Sequence, residues 1–495
     1  MKRYILSIDQ STQGTKVMLF DETGKKVART DRPHKQYIDE NGWVEHDLGE
    51  IYENLLAAAK ELLDMTGVQT EEIAAVGISN QRETTVVWDR DSGQPIYNAI
   101  VWQCRRTAPL ADQLIVDGHE EEIRAKTGLT PDPYFSGTKI RWILDNVSGA
   151  REAAEAGELM FGTIDTWLIY NLTGGATYAT DYTNASRTML FNINTLEWDE
   201  DLLRYLDIPR SMMPEVRWSS GDFGRVSSEI MTHMPPIMGV AGDQQASLFG
   251  HGCFEPGAAK NTYGTGCFML MNTGETIVKS EHGLVSTIGI AEGGKISYAL
   301  EGSIFHAGST IQWLRDKMGI IASAGETAAI CRSVEGNSGC YFVPAFSGLG
   351  APWWDPNARA MICGLTTASD RATIVRAACE SMAYQSYDVL RSMEADSGIK
   401  LPSLCVDGGA SRNEFIMQFQ ADLLGIPIVQ AESLETTALG AAYLAGLAVG
   451  YWEDHEDLLQ NMGEAKTFAP AGDAAQVKSN LTGWHDAVAR ARTSQ

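Results

Sequence analysis

The segment SIDQSTQGTK, residues 7 to 16, places hydroxyl and amide side chains between an acid, Asp9, and a base, Lys16. In a tight turn between paired strands, successive backbone N–H groups and hydroxyls can point at a phosphate, while an acid at the strand end holds Mg2+ directly or through water. The chain contains neither the G-x-G-x-x-G nor the G-x-x-x-x-G-K-[ST] spacing, so this is not a Rossmann or Walker loop. The alternative is an ordinary turn, because Asp and Ser cap turns readily.

Two later glycine-rich stretches could serve the same chemistry. Gly264-Thr265-Gly266 could cradle phosphate through its backbone, and Gly408-Gly409 would let a nucleotide approach the main chain closely. Together with residues 7 to 16, they indicate a nucleotide held by turns from distant parts of the chain.

Strands and helices must position these turns, and the apolar pattern predicts them. The first half is expected to contain, in chain order, strands over 4–9, over 17–20 and from 27, a helix over 51–65, a strand over 73–78 and a helix over 136–146. The first three strands form a β-meander with Asp9 at its first turn. Strands that alternate with helices favour an α/β fold.

The same pattern recurs later in the chain. The second set comprises a strand over 237–241, a hairpin turning near 263–267, a strand over 404–406 and a helix over 413–424. Three strand ends thus carry an acid beside small or polar residues: Asp9, Asp243 and Asp407. We predict two halves with one β-meander each, divided near residue 248, where the run FGHG at 249–252 interrupts the pattern.

Composition narrows the partner. The chain has 39 Lys and Arg against 64 Asp and Glu, a formal net charge of −25, which disfavours nucleic acid and anionic membranes as partners. No apolar run approaches the roughly 18 residues of a membrane span. Eight scattered cysteines without C-x-x-C spacing predict reduced thiols in a cytoplasmic protein. We expect a small-molecule partner and no membrane insertion.

Two segments resemble the two signatures of the FGGY family of carbohydrate kinases: YFSGTKIRWILDN at 134–146 and GGASRNEFIMQFQADLLGIPIV at 408–429. Further runs resemble the members of that family that act on glycerol: GWVEHD at 42–47, NQRETTVVW at 80–88, IYNAIVWQCRRTA at 96–108, DYTNASRTMLFNI at 181–193, GDQQASLFG at 242–250 and KNTYGTGCFMLMNTGE at 260–275. The resemblance extends to about residue 452.

The resemblance implies two ribonuclease-H/actin-like domains around an interdomain cleft. The N-terminal domain, residues 1–248, would hold the polyol site and the first phosphate hairpin, and the C-terminal domain, residues 249–495, would bind the nucleotide. The implied reaction is phosphorylation of glycerol to sn-glycerol 3-phosphate, with ATP and Mg2+ as cofactors and ADP released. The family also implies a homodimer or homotetramer.

The resemblance also implies which side chains bind the polyol. Its hydroxyls would be bound by Arg82, Glu83, Tyr134, Asp243 and Gln244, and its carbons would lie against Trp102 and Phe268. Asp243 would accept the proton of the attacking hydroxyl. Several have an alternative interpretation: Arg82 and Glu83 as a solvated surface pair, Trp102 and Phe268 as core, and Asp243 as the cap of a helix starting near Gln244.

For the nucleotide, the implied residues are Ser11, Thr12, Gln13, Lys16, Thr265, Gly308, Gln312, Gly409 and Asn413, with Asp9 on Mg2+. Without the family, Gly308 and Gln312 would be helix-surface residues, and Asn413 a helix N-cap.

The first phosphate hairpin departs from the family's usual Asp-Gln-Gly-Thr, hydroxyl residues and Arg. Ser11 stands for the Gly, Gln13 and Gly14 for hydroxyl residues, and Lys16 for the Arg. Lysine supplies charge without a planar fork, so we expect phosphate binding with altered geometry.

Two other functions remain open. One is a related kinase for another small polyol or sugar, which the changed hairpin permits and Arg82, Glu83 and Tyr134 oppose. The other is a non-catalytic actin-like sensor or filament subunit, which the presence of Asp9 and Asp243 opposes.

Overall fold

The computed structural model describes residues 3–463 and 465–493. Its strands are β1 Tyr4–Ser11, β2 Gly14–Phe20, β3 Lys26–Pro33, β4 Tyr37–Ile38, β5 Val44–His46, β6 Ile73–Asn80, β7 Val86–Asp89, β8 Ala99–Ile100, β9 Leu159–Gly162, β10 Ala179–Asp181, β11 Phe191–Asn192, β12 Glu197–Trp198, β13 Glu215–Arg217, β14 Ile237–Gly242, β15 Ala259–Tyr263, β16 Cys267–Gly274, β17 Val285–Glu292, β18 Lys295–Ile304, β19 Tyr341–Val343, β20 Met361–Cys363, β21 Leu404–Asp407, β22 Ile428–Gln430 and β23 Lys466–Phe468.

The helices are α1 Leu48–Thr66, α2 Ala108–Val116, α3 Glu120–Thr127, α4 Ser136–Asn146, α5 Ala150–Glu155, α6 Ile164–Leu172, α7 Tyr182–Ala185, α8 Glu200–Tyr205, α9 Asp243–Gly250, α10 Gly308–Asp316, α11 Thr327–Arg332, α12 Arg371–Ser397, α13 Glu414–Leu424, α14 Thr436–Ala448, α15 His455–Asn461 and α16 Ala474–Ala491. Short 3-10 turns occupy Thr70–Glu72, Arg210–Met212, Ala324–Glu326 and Gly409–Arg412.

Two mixed sheets repeat one arrangement of strands. In the first, of order β14-β6-β1-β2-β3, β1 to β3 form an antiparallel meander, and β6 and β14 run parallel to β1. The second, of order β17-β18-β16-β15-β21-β22-β23, repeats this with β18, β16 and β15 antiparallel and β21 and β22 parallel to β15. The α/β fold and the repeated meander predicted from the sequence are confirmed.

The two faces of the first sheet are covered by helices from opposite ends of the chain. Ile51, Leu55 and Leu62 of α1 lie on one helical face and pack into a cluster with strand residues such as Ile8 and Val76. Asp47 caps the start of α1, and a left-handed Gly67 ends it. The opposite face packs against α14, which lies almost two hundred residues beyond the last strand of that sheet.

The contact with α14 is so close that the sheet needs glycine there. A Cβ built on Gly77 of β6 would lie 2.2 Å from the Ala441 carbonyl oxygen of α14. An interior packed at crystal-like density has no room to absorb such an atom. Gly77 therefore allows a helix of the second half to complete the core of the first.

The boundary predicted near residue 248 lies inside α9, which ends at Gly250. A division there separates the two sheets, but it also separates α14 from the sheet on which it packs. The boundary stays a prediction, and the outer limits of both domains, residues 1 and 495, lie outside the described residues.

All eight cysteines lie within the described residues and carry free thiols. Among the helices of residues 3–463 and 465–493, none has the length and apolar content needed to cross a membrane.

We expect Gly77→Ala to lower the free energy of unfolding by about 1–3 kcal/mol, the usual cost of overpacking a core. Thermal unfolding monitored by circular dichroism measures the change. Gly325→Ala is the matched control, because the nearest neighbour of a Cβ there would be Ser323 Oγ at 3.8 Å. Equal melting temperatures for the two variants would contradict the close packing of α14.

Candidate active site

Three neighbouring parallel strands of the first sheet end at one edge, and each carries a predicted site residue there. β1 pairs with β6 so that Asp9 lies opposite Ser79, and β14 pairs with the other side of β6. Arg82 follows the end of β6, and Asp243 follows the end of β14. Because the carboxyl ends of parallel strands form binding crevices in open sheets, this edge is the place to look for a ligand.

The chain turns sharply after β6 and buries Arg82 and Glu83. Glu83 adopts φ 58°, a left-handed conformation that is costly for a non-glycine residue. Its carbonyl oxygen accepts hydrogen bonds from Thr85 Oγ1 and Ser136 Oγ, each at 3.0 Å. Only 3% of Arg82 and 1% of Glu83 is exposed, so the alternative of a solvated surface pair is wrong.

Asp243 begins α9 and faces Arg82. The Arg82 Nε lies 3.4 Å from Asp243 Oδ1. A Cβ on Gly242 would lie 2.7 Å from Arg82 Cδ, so the residue before Asp243 must be small. The N-cap of α9 is Gly242 and not Asp243, whose Oδ1 accepts the Gln244 N–H at 2.7 Å. The capping interpretation therefore does not describe its position.

The Asp243 carboxyl is suited to accept a proton near neutral pH. Its side chain is 27% exposed, and the surrounding protein disfavours its charged form. This desolvation outweighs the attraction of Arg82 and raises the pKa of Asp243 to about 6. A base whose pKa lies near the working pH is effective in proton transfer.

Arg82 also belongs to a buried cluster of four charged residues: Arg82, Glu83, Arg187 and Glu301. Glu301 Oε2 and Oε1 accept hydrogen bonds from Arg82 Nη1 at 2.5 Å and Nη2 at 3.1 Å. Arg187 donates from Nε to Glu83 Oε1 at 2.6 Å and from Nη2 to Glu301 Oε1 at 2.8 Å. Two positive and two negative formal charges balance, as buried charges must.

Three aromatic side chains near Arg82 are linked through Trp102. Trp102 contacts Tyr134 with ring centroids 5.6 Å apart and Phe268 with centroids 6.1 Å apart. All three residues are half-buried, and Trp102 and Tyr134 also pack against a buried hydrophobic cluster. The indole Nε1 of Trp102 donates a hydrogen bond to Thr12 Oγ1 at 2.9 Å. The predicted polyol wall and the phosphate hairpin are therefore in direct contact.

Gln244 reaches across to the second sheet. Lys260 of β15 donates from Nζ to Gln244 Oε1 and to Thr262 Oγ1, the latter at 2.9 Å. Burial lowers the pKa of Lys260 to about 8, against the attraction of Asp407 and Asp243. This contact joins the start of α9 to the second half.

The first phosphate hairpin is the turn between β1 and β2. Ser11 Oγ donates to the Gly14 carbonyl oxygen at 2.9 Å, and Gln13 is exposed at the tip. Lys16 Nζ lies 3.1 Å from Asp9 Oδ2 and 3.8 Å from Glu435 Oε2. The attraction of Asp9 raises the pKa of Lys16 above its ordinary value, so its ammonium is charged.

The hairpin between β15 and β16 docks on the start of α10. The Thr265 carbonyl oxygen accepts N–H groups from Ala307 at 2.9 Å and Ser309 at 3.1 Å, and the Gly264 carbonyl oxygen accepts that of Gly308 at 3.0 Å. The structure thus brings Thr265 and Gly308 together, as a shared nucleotide site requires.

The remaining nucleotide residues lie on elements of the second half. Gln312 is exposed on α10, and a Cβ on Gly409 would meet only open space. Asn413 is the N-cap of α13, accepting the N–H groups of Phe415 and Ile416, and its Nδ2 donates to Thr327 Oγ1 at 3.0 Å. The capping interpretation of Asn413 is confirmed, and its contact with a nucleoside stays a prediction.

Asp407, the third acid at a strand end, is a structural link. It is buried, accepts hydrogen bonds from Ser247 Oγ at 3.2 Å and from Thr436 Oγ1, and lies 3.3 Å from His251 Nε2. It joins α9, β21 and α14, the elements that connect the halves.

The sequence interpretation missed Arg187, Glu301 and Lys139. Lys139 Nζ donates to the carbonyl oxygens of residues 133 and 134 at 2.6 Å and of residue 135 at 3.1 Å, and so fixes the backbone around Tyr134. All three are charged residues within apolar or small-residue runs. Such residues are rarely buried unless paired, and that was the available signal.

The chain matches the family models of the FGGY family of carbohydrate kinases, the N-terminal domain over residues 4–250 and the C-terminal domain over residues 259–449. Glycerol kinase of Caldanaerobacter subterraneus subsp. tengcongensis is 55% identical over 491 residues, 99% of each chain. Glycerol kinase of Carboxydothermus hydrogenoformans is 56% identical over 492 residues, 99% of this chain and 98% of the relative.

Solved structures show the same fold. A crystal structure of Plasmodium falciparum glycerol kinase with ADP matches with a TM-score of 0.93 at 40% identity, over 99% of each chain. A ligand-bound xylulose kinase from Lactobacillus acidophilus matches with a TM-score of 0.90 at 22% identity, over 99% of each chain. The two-domain actin-like fold expected from the resemblance is confirmed.

Proposed function

This chain belongs to the FGGY family of carbohydrate kinases, and we propose that it transfers the γ-phosphoryl group of ATP to glycerol, releasing ADP and sn-glycerol 3-phosphate. The observation that carries this function is the convergence of Tyr134 and Asp243 on Arg82. The Arg82 Nη2 lies 3.4 Å from the Tyr134 hydroxyl, and its Nε lies 3.4 Å from Asp243 Oδ1. The identity of 55% to a glycerol kinase over 99% of each chain supports the same substrate.

The proposed recognition of glycerol depends on the polar side chains near Arg82. Glycerol has little apolar area, so selectivity must come from donors and acceptors that stay unpaired when the wrong molecule binds. Arg82 supplies N–H donors, Glu83 and Asp243 supply acceptors, and Gln244 supplies an amide group. The rings of Trp102 and Phe268 would offer apolar walls to the carbon atoms.

Asp243 is the base of the proposed reaction. Its carboxylate takes the proton of the glycerol hydroxyl that attacks the γ-phosphorus. Phosphoryl transfer depends mainly on positioning and charge neutralisation, so this base orients the nucleophile as well as deprotonating it. The Arg82 guanidinium lies beside this base, with Nε 3.4 Å from Asp243 Oδ1.

The nucleotide would lie against the hairpins of both sheets. Ser11, Thr12, Gln13 and Lys16 would face its phosphates from the first half, and Thr265 would face them from the second. Gly409 would lie beside the nucleoside. Gly308, Gln312 and Asn413 would surround the nucleoside.

Asp9 is the proposed magnesium ligand, directly or through water. Mg2+ is usually held by one or two carboxylates together with substrate phosphates, and Asp9 offers a buried carboxylate at the strand end beside the hairpin. Its hydrogen bond from Ser79 Oγ at 3.2 Å fixes one oxygen, and Lys16 is paired with the other. Bound there, the ion would neutralise charge on the phosphates.

We further propose a cytoplasmic homodimer or homotetramer. The free thiols of all eight cysteines support a reducing compartment. The oligomeric state rests on the family resemblance, and light scattering during size-exclusion chromatography tests it.

A coupled assay for ADP release over a panel of glycerol, other small polyols and sugars tests the function. We expect Mg2+-dependent turnover with the highest kcat/KM for glycerol. Preference for another member of the panel would assign a related kinase activity. No stimulation by any polyol would favour a non-catalytic nucleotide-binding protein.

Lys16→Ala should raise the KM for ATP and leave the KM for glycerol within about twofold, because the proposed ligand of Lys16 is the nucleotide and not the polyol. Lys25→Ala is the matched control, since Lys25 is an exposed lysine in the next turn of the same meander. The assignment of the hairpin to phosphate binding fails if the KM for ATP is unchanged.

The pH profile should report Asp243. Its raised pKa of about 6 means that the carboxyl is protonated below pH 6 and cannot accept the glycerol proton. We therefore expect kcat/KM for glycerol, measured at saturating Mg-ATP, to fall tenfold per pH unit below an apparent pKa of about 6. A profile that stays flat down to pH 5 would contradict the base assignment.

Asp243→Asn provides the companion measurement. The amide keeps the size of the side chain but takes up no proton, so kcat should fall by about a hundredfold or more. The variant should still bind ADP and glycerol in calorimetry. A near-normal kcat with a lower melting temperature would instead make Asp243 a structural residue.

A further inference from the structure

The polyol-facing arginine is held from behind by a glutamate of the other sheet. Glu301 lies on β18, and its two carboxylate oxygens accept the paired N–H groups of Arg82 Nη1 and Nη2 at 2.5 and 3.1 Å. This end-on, two-point pairing is the geometry in which a carboxylate fixes both the position and the plane of a guanidinium. The two residues are 219 positions apart in the chain.

Counting donors shows what this pairing leaves for a ligand. A guanidinium has five N–H groups, of which Glu301 takes two. Gln245 Oε1 accepts a third from Nη1 at 3.2 Å. The two that remain, on Nε and Nη2, lie along one edge and face Asp243 Oδ1 and Tyr134 OH.

That free edge is only loosely engaged. Its distances to Asp243 Oδ1 and to the Tyr134 hydroxyl are both 3.4 Å, longer than those of a strong charged hydrogen bond. A hydroxyl group placed beside the edge could receive both N–H groups. Glu301 therefore determines which edge of Arg82 is offered to the polyol.

Glu301 also supports Glu83, the second residue on this side that is proposed to bind the polyol. Arg187 bridges Glu301 Oε1 and Glu83 Oε1, with bonds of 2.8 and 2.6 Å. Movement of Glu301 would release Arg187 and, through it, the Glu83 carboxylate. Burial opposes ionisation of Glu301, but the attraction of Arg187 and Arg82 outweighs it and lowers the pKa of Glu301 to about 2.

We propose that Glu301 is a positioning residue for polyol recognition, which aims the Nε and Nη2 edge of Arg82 at the hydroxyls of the substrate and anchors Glu83 through Arg187. This inference rests on the proposed function. It also makes the polyol site a joint product of both halves, because β18 belongs to the second sheet.

Steady-state kinetics of two variants test the proposal. Glu301→Gln keeps the size of the side chain but removes its charge, and Glu301→Asp keeps the charge but shortens its reach. In both, we expect the KM for glycerol to rise about tenfold or more, as for a lost hydrogen bond to a charged group. The KM for ATP should stay within about twofold of the wild type.

Discrimination between glycerol and propane-1,2-diol supplies a readout that a structural role would not move. The ratio of kcat/KM for glycerol to kcat/KM for propane-1,2-diol should fall in both variants. In the wild type, the diol leaves an N–H group of Arg82 unpaired and is therefore disfavoured, whereas a misaligned Arg82 does not bond to that hydroxyl of glycerol either. Glu380→Gln is the matched control: Glu380 is also a buried glutamate paired with an arginine, Arg376, at 2.7 Å. It should lower the melting temperature and leave both KM values and the ratio unchanged.

Three outcomes decide the matter. If wild type releases no ADP in response to glycerol, the proposed function fails and this inference fails with it. If wild type is active and the folded Glu301 variants match Glu380→Gln in both KM values and in discrimination, only the inference is overturned. If Glu301→Gln does not fold, the charged Glu301→Asp variant decides between these outcomes by the same measurements.

Discussion

Charge that is buried away from water must be neutralised where it lies, and the arrangement of the site depends on how this chain meets that requirement. The turn after β6 carries Arg82 and Glu83 into the interior, and the segment after α7 adds Arg187. Glu301 from the second sheet completes the balance. Any three of these residues carry a net charge, and only the four together are neutral. The two halves must therefore come together for the proposed polyol site to be stable.

Other contacts between the halves involve the strands and the helix that carry the site. Gly77 admits α14 to the first sheet, and Asp407 links α9 and α14 to β21. Lys260 reaches from β15 to Gln244 at the start of α9. Because Asp243 is the first residue of α9, the base of the proposed reaction lies on a helix that is bonded to strands of the second sheet.

Features that depend on local spacing could be predicted from the sequence. The helix expected over 136–146 has those bounds as α4, and the strand before Asp9 is β1. Asn413 could be identified as an N-cap because capping is local. The partners of Arg82 could not be predicted, since Glu301 lies 219 residues away and nothing in either segment encodes the pairing. Long-range charge balance is a property of the packed molecule, and the sequence shows only an isolated acid in an apolar strand.

Lysine at position 16 can be understood in the same terms. Its ammonium lies between Asp9 at 3.1 Å and Glu435 at 3.8 Å, and Arg29 also pairs with Glu435. The arginine usual in the family would commit a planar fork to one carboxylate or one phosphate. An ammonium has three donors that rotate about a single bond, so Lys16 can keep its bond to Asp9 while it donates to a phosphate oxygen. In the proposed complex, Asp9 would thus keep its partner at the strand end. Glycine at position 14 meets a separate requirement, because a Cβ there would lie 2.6 Å from the Arg32 carbonyl oxygen of β3, so Gly14 lets β2 pair closely with β3.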